Sequence, residues 1–86
     1  MKQLEETLRD RGSSYGSFSE MAELVQELER LLIGVNMSAV QREAMGMMCT
    51  KLARIAKGDC NHFDSWHDIA GYATLVCVEL DADHDA

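Results

Sequence analysis

The sequence predicts an all-α fold, a small four-helix bundle, and three observations carry that reading. Apolar residues recur at i, i+3 and i+4 spacing over long windows. Ser-x-x-Glu or Ser-x-x-Gln pairs stand where such windows begin, as in a helix capping box. The chain has no Pro, few aromatics and only six Gly, which argues against the turn-rich pattern of a sandwich or barrel. With 86 residues, one domain spanning the whole chain is expected, its core adequate but not generous.

The first helix is expected over residues 2–10, with Leu4 and Leu8 one turn apart. Arg11-Gly-Ser-Ser-Tyr-Gly-Ser-Phe then breaks it as a loop. Ser17 and Glu20 have capping-box spacing for a second helix over about 18–33. Its stripe is Met21, Leu24, Val25, Leu28, Leu31 and Leu32, and Gly34 is its expected C-terminal cap. Ser38 and Gln41 open the third helix, which closes at Gly58 and around which the chain is organised. Gly46 inside it costs about 1 kcal/mol relative to Ala and suggests close approach by another backbone or a ligand. Asp64 or Ser65 starts the last helix, with Ser65 and Asp68 as a capping box, running to about Leu80. An acidic tail, frayed and solvating, follows from about residue 81. In the last helix Trp66, Ile69, Ala73, Val76 and Leu80 form the main apolar stripe. Tyr72 and Leu75, among Asp64, Asp68 and Glu79, lie opposite. Burial on two sides follows, and in so short a chain the second cover is expected to be another subunit, so the bundle is completed by oligomerisation.

Fifteen acidic against eight basic residues give a net charge of −7. That disfavours direct nucleic-acid binding, which needs a basic face to replace counterions. Cys49, Cys60 and Cys77 are odd in number and without framework spacing, as expected for reduced thiols. No signal-peptide pattern is present and no apolar run approaches the ~20 residues of a membrane span. A soluble, cytoplasmic protein without membrane contact is the expectation.

The chemistry centres on Lys51. On a helical wheel it lies about 20° from Val40, in the middle of the apolar face formed with Ala44, Met47, Met48 and Ile55. A lysine there is costly unless its charge is paired or its head escapes to water. Arg54 follows one turn on, and Asp64 and Asp68 stand on the next helix. The four form either a buried ion-pair network that sets helix register or a pocket in which the cations hold phosphate oxygens. The loop Arg11-Gly12-x-x-Tyr15-Gly16-x-Phe18 is either a phosphate-holding, base-stacking lid or a turn whose aromatics plug the bundle end; it is no P-loop. Cys60, His62, Asp64 and His67 are metal-ligand types but lack the second spaced pair of a zinc site, so no metal site is assigned. Glu20, Glu23 and Glu27 read as a solvated face. No nucleophile triad is present, and no catalytic residue is assigned.

Three blocks together carry a resemblance: Arg-Gly-x-x-Tyr-Gly-x-Phe at 11–18, Lys-Leu-Ala-Arg-Ile at 51–55, and His-x-Asp-x-Trp-x-Asp-Ile-Ala-Gly-Tyr-Ala at 62–73. They resemble a small phage and prophage domain of unknown function. That domain is similar to the nucleotide-modification-associated domains of phages and, more distantly, to MazG-like all-α NTP pyrophosphatases. The resemblance implies an oligomeric helical bundle in the cytoplasm of an infected or lysogenic bacterial host, with a nucleotide-type ligand near the motif residues. It also exposes a departure. MazG-like enzymes bind Mg²⁺ through Glu-x-x-Glu and a later Glu-x-x-Asp, where this chain has Lys51-x-x-Arg54 and Ser65-x-x-Asp68. Cations in those places repel Mg²⁺ and attract phosphate, so metal-assisted hydrolysis does not carry over. Mg²⁺ would enter only with a bound nucleotide.

The expected function is therefore binding of a nucleotide or other phosphorylated small molecule, in phage nucleotide metabolism or as an anti-defence sequestration of a host signal. Lys51 and Arg54 would hold phosphate, and Asp68 would orient Lys51 or a ribose hydroxyl. Asp64 and Tyr72 would extend the wall, and Arg11 and Tyr15 would close over the ligand. Two alternatives stand beside it: a nucleotide kinase or NTP pyrophosphatase-like enzyme, and an acidic protein that inhibits a host protein.

Overall fold

A computed structural model describes Leu4 and residues 17–85. These residues are helical without strands: α1 spans Phe18–Leu32, α2 Ala39–Lys57 and α3 Phe63–Asp85. Three helices thus stand among the described residues where four are expected. The expected helix over 2–10 lies, apart from Leu4, outside them, as does the loop from Arg11 to Gly16.

α2 forms as its sequence predicts. The Ser38 hydroxyl accepts from the Gln41 N–H at 3.1 Å, and the Gln41 side chain accepts from the Ser38 N–H at 2.9 Å. Two otherwise orphaned donors are satisfied reciprocally. At the other end the Gly58 N–H donates to the Arg54 carbonyl at 2.9 Å. The capping box expected for α1 does not form: Ser17 Oγ lies 3.2 Å from Ser19 Oγ, a nearer partner than the backbone. Gly34 does not adopt a left-handed cap either. Ile33 closes α1 by donating to the Glu29 carbonyl at 3.0 Å, and the Gly34 carbonyl accepts from Arg42 at 3.2 Å.

The connection from α2 to α3 is held by three bonds. Asp59 accepts the Asn61 N–H on its side chain at 2.9 Å and the His62 N–H on its carbonyl at 3.2 Å. The Trp66 indole N–H reaches back to the Cys60 carbonyl at 2.9 Å. These bonds let α3 begin at Phe63, ahead of Asp64 and Ser65. The expected Ser65–Asp68 capping box is absent because Ser65 sits inside the helix, its hydroxyl 3.0 Å from His62 Nδ1. With no Gly or Pro between Ala73 and Asp85, nothing stops the helix at Leu80. The expected frayed tail is helical to Asp85.

α2 is the middle layer. α1 packs on one side of it and α3 on the other, and α1 and α3 do not touch. Among the described residues the helices therefore form an open row. The buried apolar residues, Ala44, Cys49 and Ala53, all belong to α2, and the buried polar one is Ser65. All are small, which lets a helix with a neighbour on each side be approached closely. On α1, Met21, Leu24, Val25 and Leu28 are half-buried, whereas Leu31 and Leu32 are exposed.

The faces of α3 differ from the expected ones. Half-buried or buried are Ser65, Asp68, Ile69, Tyr72, Val76 and Glu79, at helical spacing. Trp66, Ala73 and Leu80 of the expected main stripe are exposed. The docked face thus carries much of the supposed outer stripe. This face also carries the polar contact of the seam, Asp68 meeting Lys51 of α2.

Candidate functional site

The site is built on the seam between α2 and α3. The Lys51 side chain is only 14% exposed, and its ammonium lies 2.9 Å from Asp68 Oδ2. Snorkelling to solvent is excluded, because the charge is spent on a neighbouring helix. Asp68 is 41% exposed on its side chain, so the pair is shut off on the lysine side and open on the carboxylate side. The hydrogen bond from Lys51 holds the Asp68 carboxyl below its ordinary range. Partial burial opposes that shift, and the charges of Lys51, His67 and Arg54 reinforce it. Arg54 is half-buried one turn along α2, near enough for its charge to act on Asp68.

Beside Asp68 the surface of α3 is concave. A depression of about 350 Å³ is lined by His67, Asp68, Gly71, Tyr72 and Leu75. Gly71 makes it: a Cβ there would meet nothing within 4 Å. A missing side chain between an imidazole, a phenol ring and Leu75 leaves a shallow seat with flat, partly apolar walls. The carboxylate stands at one edge. The His67 ring is itself held by stacking on Phe63, with centroids 5.5 Å apart and planes inclined by 19°.

Residues 1–78 match a domain of unknown function, DUF6378. The chain belongs to the DUF6378 family. No curated protein and no solved structure matches it. The DUF6378 match covers α1, α2 and α3 through Val78, so the Lys51–Asp68 seam lies inside the family domain.

Of the residues read from the sequence, Lys51, Arg54, Asp68 and Tyr72 gather along this seam. Asp64, one turn before Asp68, is exposed and does not line the depression. Arg11 and Tyr15 lie outside the described residues. Glu20, Glu23 and Glu27 are exposed, and Glu27 pairs with Arg30. Cys60 and His67 point to different work: Cys60 is exposed and offers its carbonyl to Trp66, and His67 stacks on Phe63. Among the described residues no three of His, Cys, Asp and Glu converge. Nor is any described helix long and apolar enough to cross a membrane.

Three participants escape the sequence reading. Ser65 is 2% exposed and anchors the start of α3 against His62. Its polarity and capping-box spacing concealed that role. Gly71 and His67 shape the depression. Gly71 sits in the middle of a helix, where glycine is unfavourable, and that was a signal available in the sequence. The third glycine feature is resolved differently. A Cβ on Gly46 would stand 3.3 Å from Glu29 Oε1 of α1, so the close approach there is by a carboxylate side chain.

Proposed function

We propose that this protein binds a nucleotide or other phosphorylated small molecule at the α2–α3 seam. The observation that carries this reading is the half-open Lys51–Asp68 pair beside the Gly71 depression. Taking both ends of an ion pair out of water repays the desolvation cost only with excellent geometry and a full set of hydrogen bonds. Here the carboxylate stays accessible at the rim of a concave surface. An entering phosphate would compete with Asp68 for the Lys51 ammonium, with Arg54 adding charge from the next turn. The Asp68 carboxylate, displaced or shared, would then accept a ligand hydroxyl. Tyr72, His67 and Leu75 offer walls for a flat ring. Asp64 would add charge at the outer rim, and Arg11 and Tyr15 would cover the ligand.

Binding without hydrolysis is the favoured form, because the metal-binding carboxylates of MazG-like enzymes have no counterpart set here. Any Mg²⁺ would arrive on the nucleotide. We take such binding to serve phage nucleotide metabolism or sequestration of a host signal, within the cytoplasm of a bacterial host, as the resemblance to phage nucleotide-modification domains implies. The same reading takes the working unit to be an oligomer of this chain, which closes the open row of helices.

The test is a thermal-shift and calorimetric panel of nucleoside mono-, di- and triphosphates and cyclic nucleotides, with and without Mg²⁺. At least one compound should raise the melting temperature, and Lys51→Ala should abolish that shift. A ligand present at 100 times its Kd adds about 2.7 kcal/mol of stability, a readily measured change. A flat response across the panel at millimolar concentration would sink the proposal. Product formation from any nucleotide, lost in Lys51→Ala, would replace the binder with an enzyme.

A further inference from the structure

The exposed stripe of α3 has a symmetry that the docked stripe lacks. Trp66, Ala70, Ala73, Cys77 and Leu80 all lie within about 40° of a single line along the helix. All five are exposed, Trp66 at 52% and Leu80 at 49%. Trp66 precedes Ala73 by seven residues and Leu80 follows it by seven. The pattern from Trp66 to Leu80 is therefore large, small, small, small, large, nearly the same in both directions. No charged residue interrupts it.

We infer that two copies of this chain pair through α3, antiparallel, about a two-fold axis at Ala73. A two-fold interface must be self-complementary, and this stripe is. Ala70, Ala73 and Cys77 let the helix axes approach to about 8 Å. Trp66 then covers Leu80 of the partner subunit at each end. The charged shoulder also agrees. His67 and Asp81 lie on the same side of the stripe and nearly equidistant from Ala73, so the two-fold sets the His67 ring opposite Asp81 of the partner subunit. A ring N–H meets a carboxylate twice. That complementarity selects a second copy over an unrelated acidic or basic partner. It also shows how a chain of net charge −7 tolerates its own approach, because the contact is uncharged at its centre and paired at its shoulder.

The stripe continues into the cleft between α2 and α3. There Met37, Met45, Met48, Ala73 and Val76 line a second depression of about 350 Å³, together with Gln41. Methionine side chains adapt to an incoming surface. The pairing therefore extends from α3 onto the amino-terminal half of α2.

This pairing rests on the oligomeric part of the proposed function, and the experiment separates the two. Sedimentation of the full chain should give a dimer at micromolar concentration. Ala73→Glu, at an exposed position, should keep its helical circular dichroism and weaken the dimer by at least about a hundredfold, since two carboxylates would meet on the axis. Leu31→Glu, exposed on α1, should leave the dimer intact. Ala73→Cys in a Cys60→Ser, Cys77→Ser background should oxidise to a covalent dimer. In the natural sequence the two Cys77 residues would stand eight residues apart along the pair, about 12 Å, beyond disulfide reach. A monomer at all concentrations overturns both the pairing and the oligomeric reading. A dimer that survives Ala73→Glu, or that links readily through native Cys77, overturns the pairing alone.

Discussion

Towards α1, helix α2 presents Gly46 and the fully buried Cys49; towards α3 it presents Lys51, held by Asp68. The first seam is made by removing side-chain bulk, so that packing distance does the work. Its one ionic visitor, Glu29, lies over Gly46, and burial together with the Glu29 charge pushes the Cys49 thiol up. The second seam is made by a charge pair with one closed and one open end. A close-packed seam resists substitution by volume, whereas a polar seam resists loss of one partner but tolerates exchange. A helix row built this way has one side suited to holding the fold and one whose ion pair stays open to exchange.

The most damaging way to break the comparison is a charge in the close-packed seam. Ala53 lies within about 40° of Cys49 on α2 and is fully buried. Ala53→Glu should cost about 3–5 kcal/mol, enough to leave the chain largely unfolded in a urea titration. A folded, cooperative variant would show that this seam is not the structural one.

The polar seam should respond asymmetrically. Asp68→Ala strands a Lys51 ammonium that is 14% exposed, whereas Lys51→Met leaves a carboxylate that is 41% exposed. Denaturant melts should rank Asp68→Ala as the more destabilising, with the double variant recovering much of the loss. Acid should act in the same direction. The Asp68 pKa is lowered by folding, so its contribution is complete above the ordinary aspartate value of about 3.9. It is lost as the pH falls through the lower folded value. The acid limb of stability should flatten in Asp68→Asn; an unchanged limb would mean that the pair does not stabilise the fold.

The smallest effects compare the two helix-interior glycines. Gly71→Ala meets open space and should stabilise by about 0.5–1 kcal/mol while shrinking the depression beside Asp68. Gly46→Ala meets Glu29 Oε1 at 3.3 Å, the movable end of a side chain, and should gain less. Melting temperatures in the reverse order would mean that the α1 seam is the looser one.

Much of this was legible from local signals. The α2 capping box and the half-burial of Met21, Leu24, Val25 and Leu28 follow from spacing, because both depend on residues within a turn of each other. Lys51 was visible as a charge on an apolar face, with Asp68 as its candidate partner. What was not legible was rotation. The wheel of α3 offers apolar residues on several sides, and which of them docks is settled by contacts that span two helices, the Lys51–Asp68 pair among them. The capping boxes expected at Ser17 and Ser65 fail for a local reason: Ser17 Oγ meets Ser19 Oγ, and Ser65, inside α3, meets His62 Nδ1.

The sequence by itself determined an all-α chain, the bounds of its central helix and the charges that had to find partners. Helical period and capping are local and need no knowledge of the fold. The tertiary structure alone decided that the described helices form an open row, that Asp68 faces inward while Trp66 and Leu80 face out, and that Gly71 leaves a depression beside a half-open ion pair. Those outcomes depend on which surfaces meet across helices, a competition among packing, charge and desolvation that no single stretch of sequence records.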